Sequence, residues 1–255
     1  TSLTYRGTSY SDSNTTTNAS YRESNYGLVN NSGANAGYNF VCNVRITSVD
    51  TDVEELIDAG VHVTIAAGNR GNKVDVVGGT DYNNFVVTDT GTKYYHRGSS
   101  PYSDRAILVG NMDSTTASAT NDQKATSSEC GPGVDIYAAG TNIMSCTSNT
   151  NRFTDSAYYF DGSYRQCNIG GTSMAAPQVA GVVALYAQSS PGLTPAKMKD
   201  VILGKCSEVI YNPTEHLSGS FSLQSTTSKL LHNKYGQSIP LSFSGSFTTT
   251  TDIGF

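Results

Sequence analysis

Apolar residues in this chain gather in short blocks between long polar stretches, and the period within each block assigns it an element. Val53, Leu56 and Ile57 recur at helical spacing. Asp50 or Thr51 can cap that helix, and Asp52, Glu54 and Glu55 lie near the positive end of its dipole. Gly60 ends it. The β-branched run over residues 61–67, bounded by Gly68 and Asn69, predicts a strand buried on both faces of a parallel sheet, so helix, turn and strand form an αβ unit. Residues 106–110 and 134–138 predict two further core strands. Residues 174–186 are apolar on nearly every side, which predicts a helix in the middle of the domain; Pro177 is tolerated because it falls in the first turn. Another helix is expected from Thr194 and Pro195, with Met198, Val201, Ile202 and Leu203 buried.

The polar stretches carry weaker signals. Residues 1–40, rich in Ser, Thr, Asn, Tyr and Gly without a sustained period, read as an extended segment with little regular structure. Residues 70–105 read as an insertion with one strand-like piece at Phe85, Val86 and Val87. Leu241, Phe243, Gly245 and Phe247 alternate with Ser242, Ser244 and Ser246, the pattern of a half-exposed strand. The expected organisation is an N-terminal segment 1–40, a core 41–210 with the insertion 70–105, and a β-rich tail 211–255 packed on the same domain.

Composition narrows the function. The 255 residues carry 16 Lys and Arg against 21 Asp and Glu, a formal charge of −5, with no basic stripe for a phosphate backbone. Nucleic acid is therefore excluded as a partner. The longest apolar run, 174–187, is too short to span a bilayer and contains Pro177 and Gln178. Cys42, Cys130, Cys146, Cys167 and Cys206 have neither C-x-x-C nor metal-ligand spacing; they read as small buried thiols with room for one or two bridges. The chain opens at Thr1 with no initiator Met and no signal-like stretch, which reads as a trimmed or cleaved product.

The candidate chemistry centres on residues 168–177, Asn-Ile-Gly-Gly-Thr-Ser-Met-Ala-Ala-Pro. Ser173 stands between a glycine turn and the first turn of a buried helix, where unpaired N–H groups and positive potential suit a developing oxyanion. Its alternative role is to cap that helix. The stretch 171–181 closely resembles the active-serine motif of the subtilisin-like serine proteases, the subtilases, and residues 60–69 resemble the family strand that leads to an oxyanion asparagine. The resemblance runs over about 53–203 and includes 106–109, 131–140 and 191–195. It implies a doubly wound, mostly parallel α/β fold with helices on both faces, incomplete on its N-terminal side. It also implies Ser173 as nucleophile, Asn69 as oxyanion donor beside the Ser173 N–H, and Ala67, Gly68, Gly171 and Thr172 as substrate-binding positions. Asn30, Asn31, Ser32 and Gly33 form either a shortened N-x-S-x-G substrate strand or a plain turn.

The same resemblance exposes a gap. The family's triad needs a D-[ST]-G aspartate and an H-G-T-H-x-A histidine ahead of the serine. The histidines here, His62, His96, His216 and His232, stand in no such motif. Asp89-Thr90-Gly91 matches D-[ST]-G but falls in the insertion, and His96 has no following helix to mount it. The expectation is that an upstream fragment of the same precursor carries Asp and His and remains bound. The function implied is a serine endopeptidase acting on polypeptide. The alternative is a subtilase-fold structural or assembly component, for example of a virus particle, inactive or active only in self-processing. A carbohydrate- or peptide-binding module ranks third, on the tyrosines. The reaction requires no cofactor. Family members often bind calcium, yet no D-x-D-x-D-G loop locates a site here. An extracellular or virion-associated setting is favoured.

Overall fold

The computed structural model describes residues 2–30, 40–113, 122–148, 156–158, 161–208, 223–224 and 229–231. In chain order the elements are β1 (Ser2–Tyr5), β2 (Thr8–Tyr10), α1 (Ser13–Thr17), α2 (Ala19–Tyr26), α3 (Thr47–Asp58), β3 (Thr64–Ala66), β4 (Phe85–Thr88), β5 (Gly91–Tyr94) and β6 (Ile107–Asp113). They continue as β7 (Gln123–Lys124), β8 (Ile136–Ala139), β9 (Ile143–Thr147), β10 (Ser156–Tyr158), β11 (Asp161–Ile169), α4 (Thr172–Ser189), α5 (Pro195–Gly204), β12 (Ser207–Glu208) and β13 (Lys229–Leu230).

The central sheet has the order β12-β13-β8-β6-β3, with β7 antiparallel on β6. Strands β13, β8, β6 and β3 run parallel. Alternation along β6 feeds two cores. Ile107 and Val109 join Ile136, Ala138, Val179, Val183, Met198 and Ile202 under α4 and α5. Leu108 joins Val53, Ile57, Ile65 and Tyr137 under α3. The parallel sheet is thus covered on both faces, as the apolar runs require. Pro177 is the sixth residue of α4, inside the helix and past the first turn expected for it, because α4 already starts at Thr172. Thr194 caps α5 by accepting from the Lys197 N–H, and Pro195 opens that helix.

Three expectations need correction. The described residues 2–30 of the expected extended segment 1–40 are regular: β1 and β2 make a hairpin, α1 and α2 follow, and β1 pairs with β4 of the presumed insertion. Asp12 and Asn18 cap α1 and α2, and Leu3, Tyr26 and Leu28 bury against Val86 and Tyr95. These anchors are too sparse in sequence to show a period. Second, neither Asp50 nor Thr51 caps α3; that helix starts at Thr47 without a side-chain cap. The Asp50 carboxylate instead accepts from the Ser100 hydroxyl and the Tyr102 N–H and pairs with Arg45. Third, the five cysteines are free thiols, as expected, but only Cys130 and Cys167 are buried, Cys42 and Cys206 being half-buried and Cys146 exposed. Of the tail, Leu223 and Leu230 join the α3-side core; the alternating stretch 241–247 and residues 31–33 lie outside the described residues.

Strands β2-β1-β4-β5 form an antiparallel sheet built around buried charge. The Asp81 carboxylate, 2% exposed, pairs with Lys73 at 2.7 Å and with Arg6 at 2.7 Å, and accepts from Asn84 Nδ2. Although burial raises its pKa, the hydrogen bonds from Arg6, Lys73 and Asn84 prevail and hold it below the usual carboxylate range. His96 lies beside this network, with Nδ1 3.2 Å from Asn84 Nδ2 and Nε2 3.4 Å from the Gly27 carbonyl. Those partners fit a neutral ring with its proton on Nε2. Burial lowers its pKa to about 4.

Candidate active site

The site forms where β3 and α4 meet. After β3 the backbone turns at Gly68, whose φ of 117° favours glycine. Gly171 is the N-cap of α4 with φ 144°, and a Cβ there would lie 3.2 Å from the Asn69 amide. Both glycines bring Asn69 against the helix start. Asn69 Oδ1 accepts from the Thr172 N–H at 2.9 Å and from the Thr172 hydroxyl at 3.2 Å, while the Gly68 N–H donates to that hydroxyl. With its oxygen occupied, Asn69 keeps Nδ2 as the donor for an incoming oxygen.

Ser173 is the second residue of α4, so it is not the N-cap, and its side chain is exposed. Met174 and Ala175 donate to the Gly171 carbonyl, and no described backbone carbonyl receives the Ser173 N–H. Ser173 and Asn69 thus both stand at the N-terminus of α4, the positive end of its dipole. The Gly171 N–H donates to the Gly140 carbonyl at 2.7 Å, and Gln178 Nε2 to the Ala139 carbonyl, locking α4 onto the end of β8.

Two of the expected substrate-binding side chains do not face outward. Thr172 is fully buried and acts on Asn69, and Ala67 packs into the α3-side core while its N–H donates to the Val109 carbonyl. A cleft of about 430 Å³ opens beside Ser173, lined by Ile143, Ser145 and Thr147 of β9, Cys167 and Ile169 of β11, and Met174 and Pro177 of α4. Sequence reading missed the role of β9 and β11 here, because the hydroxyl-rich stretch before Gly171 looks like loop.

The described histidines do not reach this site. His62 stands before β3 (Thr64–Ala66), at the opposite end of that strand from Asn69. His96 is buried in the antiparallel sheet, and Asp89 is exposed in the β4–β5 turn, so they form no triad with Ser173. His216 and His232 lie outside the described residues. Among the described residues no group of three or more His, Cys, Asp or Glu is placed to hold a metal ion. No described helix is long and apolar enough to cross a membrane.

The model of the Subtilase family matches residues 4–237. The chain belongs to the subtilase family. Among curated subtilase relatives, Serine protease AprX of Bacillus subtilis is 32% identical over 164 residues, covering 59% of this chain and 31% of the relative. Alkaline serine exoprotease A of Vibrio alginolyticus is 28% identical over 179 residues, 68% of this chain and 26% of the relative. A crystal structure of a cold adapted subtilisin-like serine proteinase shares 28% identity over 76% of this chain and 52% of that chain, with TM-score 0.47. The subtilase chain described here thus spans a third or less of the length of these two curated relatives.

Proposed function

We propose that this chain supplies the nucleophile and oxyanion donors of a serine endopeptidase, and that a second polypeptide segment supplies the histidine base and its aspartate. The observation that carries the reading is the 2.9 Å bond from the Thr172 N–H to Asn69 Oδ1, one residue before the exposed Ser173. In this reading Ser173 Oγ attacks the scissile carbonyl as the imported histidine takes its proton. The carbonyl oxygen, now negative, accepts from Asn69 Nδ2 and the Ser173 N–H. The histidine then protonates the leaving amine, and water hydrolyses the acyl-enzyme. The cleft along β9 and β11 receives one side of the polypeptide.

The open edge of β3 supports a second segment. Val63 accepts from the Ile107 N–H and Ala67 donates to Val109, so odd positions face β6. The backbone groups of Thr64 and Ala66 therefore face the other edge, where no described strand pairs. β3 nevertheless feeds apolar side chains to both cores, Ile65 to one and Ala66 to the other, as an interior strand does. A parallel strand added there would bring its C-terminal end beside Asn69. The placement of the described histidines, His62 before β3 and His96 against Asn84 and Gly27, also favours the assembly-component reading, in which the site works once on its own precursor or not at all.

The discriminating experiment treats the natively assembled protein with a fluorophosphonate and maps the adduct. Modification of Ser173 together with turnover of a polypeptide supports the endopeptidase. Intact, folded protein without an adduct at Ser173 favours the assembly component.

A further inference from the structure

A cleft of about 550 Å³ opens at the N-terminal end of α3 and shares no lining residue with the cleft beside Ser173. Its volume falls in the range of small-ligand sites. Tyr82, Tyr102, Val76, Val77, Arg45 and Arg97 line it, and Val76 and Val77 are exposed, Val77 at 79%. The acids around it are already answered. Asp50 pairs with Arg45 at 2.7 Å and Glu54 with Arg105 at 2.7 Å, while Asp104 stands beside Lys199, whose ammonium donates to the Asp104 carbonyl at 2.7 Å. Arg97 is different, since it forms no ion pair among the described residues. Its Nε donates to the Tyr82 carbonyl at 3.0 Å and its Nη2 to Asn83 Oδ1 at 2.7 Å, both neutral acceptors. The guanidinium lies over the Tyr94 ring, 3.3 Å from the centroid, and over the Tyr82 ring at 4.5 Å, contacts that fix it in place. Nη1 and the second hydrogen of Nη2 remain as a fork without a described acceptor, the geometry that takes both oxygens of a carboxylate.

We propose that this cleft binds the C-terminal end of a polypeptide, with the α-carboxylate on Arg97 and an apolar last side chain against Val76 and Val77. The carboxylate supplies the charge that Arg97 lacks, and the valines supply apolar surface within the same cleft. Because the guanidinium is already held by two hydrogen bonds and two rings, little side-chain freedom is lost when the ligand arrives. The proposal does not need Ser173 to be active, since such an end belongs to any complete or cleaved chain.

N-acetyl-leucine, N-acetyl-leucinamide and N-acetylglycine are the probes, titrated into the natively assembled protein by calorimetry and by the unfolding midpoint. N-acetyl-leucine is expected to bind saturably and to raise the midpoint. The amide, which lacks the charge, should do neither, and N-acetylglycine, which lacks the apolar side chain, should bind several-fold more weakly. Arg97→Gln should weaken N-acetyl-leucine about tenfold or more. Val77→Asp should weaken it as well, and because Val77 is exposed that variant keeps the fold even where Arg97→Gln does not. No binding of N-acetyl-leucine, equal binding of its amide, or unchanged binding in every variant that folds overturns the site. Weakening by Arg97→Gln alone, with Val77→Asp and N-acetylglycine indistinguishable from the reference, keeps the carboxylate on Arg97 and overturns the seat of the last side chain.

Discussion

The half of the molecule around Ser173 and the sheet formed by the N-terminal strands are held by different physics. The β3-β6-β8 sheet with α4 and α5 rests mainly on aliphatic surface, with an ion pair, Asp135 with Lys199, tying α5 to the start of β8, and with polar bonds around Asn69 that fix the start of α4. The β2-β1-β4-β5 sheet has a small apolar core of Leu3, Tyr26, Leu28, Val86 and Tyr95 and is tied together by Asp81 with Arg6 and Lys73. The difference teaches that the sheet outside the parallel core is a charge-clamped platform and fails by different routes from the site it supports.

The largest effect should separate the two regions directly. Asp81→Ala leaves Lys73 buried without its partner and should cost about 3–5 kcal/mol in urea unfolding, as breaking buried ion pairs does. Because the Asp81 pKa is depressed, this contribution is present above pH ~3.9 and fades as the pH falls below it. The gap between wild type and variant should narrow in strong acid, and a gap unchanged there would break the charge-clamp account. In the other half, Asn69→Ala should lower kcat about 10²–10³-fold in the assembled enzyme. Its stability cost should be only about 1 kcal/mol, for the lost Thr172 acceptor.

A pH series sharpens the contrast, because each region buries one group of opposite sign. His96, lowered to about 4, binds fewer protons folded than unfolded, so its contribution is complete above pH ~6.5 and declines toward pH 4, by about 3 kcal/mol. Glu129, raised to about 8, binds more protons folded, so its contribution is complete below pH ~4.5 and declines as the pH rises to 8. The two slopes oppose each other between roughly pH 4.5 and 6.5. Unfolding midpoints of His96→Gln should lose the acid slope, and those of Glu129→Gln the alkaline one. The smallest effect concerns α2: Asn18→Ala removes the acceptor for the Tyr21 N–H and should cost about 1 kcal/mol by the same unfolding measurement.

The same contrast explains what the sequence discloses. α4, α5 and the strands at 64–66, 107–113 and 136–139 stand out because burial is nearly continuous along β6 and β8 and recurs at helical spacing in α4 and α5, and periodicity registers burial. That Asn69 comes against the start of α4, one residue before Ser173, was legible through the motifs at 60–69 and 171–181. Thr172 was misplaced at the substrate wall because a motif does not say which of its hydroxyls turns inward. The N-terminal hairpin escaped notice because β1 has four residues and its partner β4 lies some eighty positions away. Glu129 gave no signal either: an acid between Ser128 and Cys130 has no local pattern, and only the fold sets it against Gly68.

The account stands or falls on Ser173 as a nucleophile poised by Asn69. Fluorophosphonate labelling of the natively assembled protein, followed by mass mapping of the adduct, tests it most directly. The prediction is an adduct at Ser173 that forms at least about 10²-fold more slowly in Asn69→Ala. Unmodified Ser173 in folded native protein, under conditions that label an active subtilase alongside it, would contradict the account.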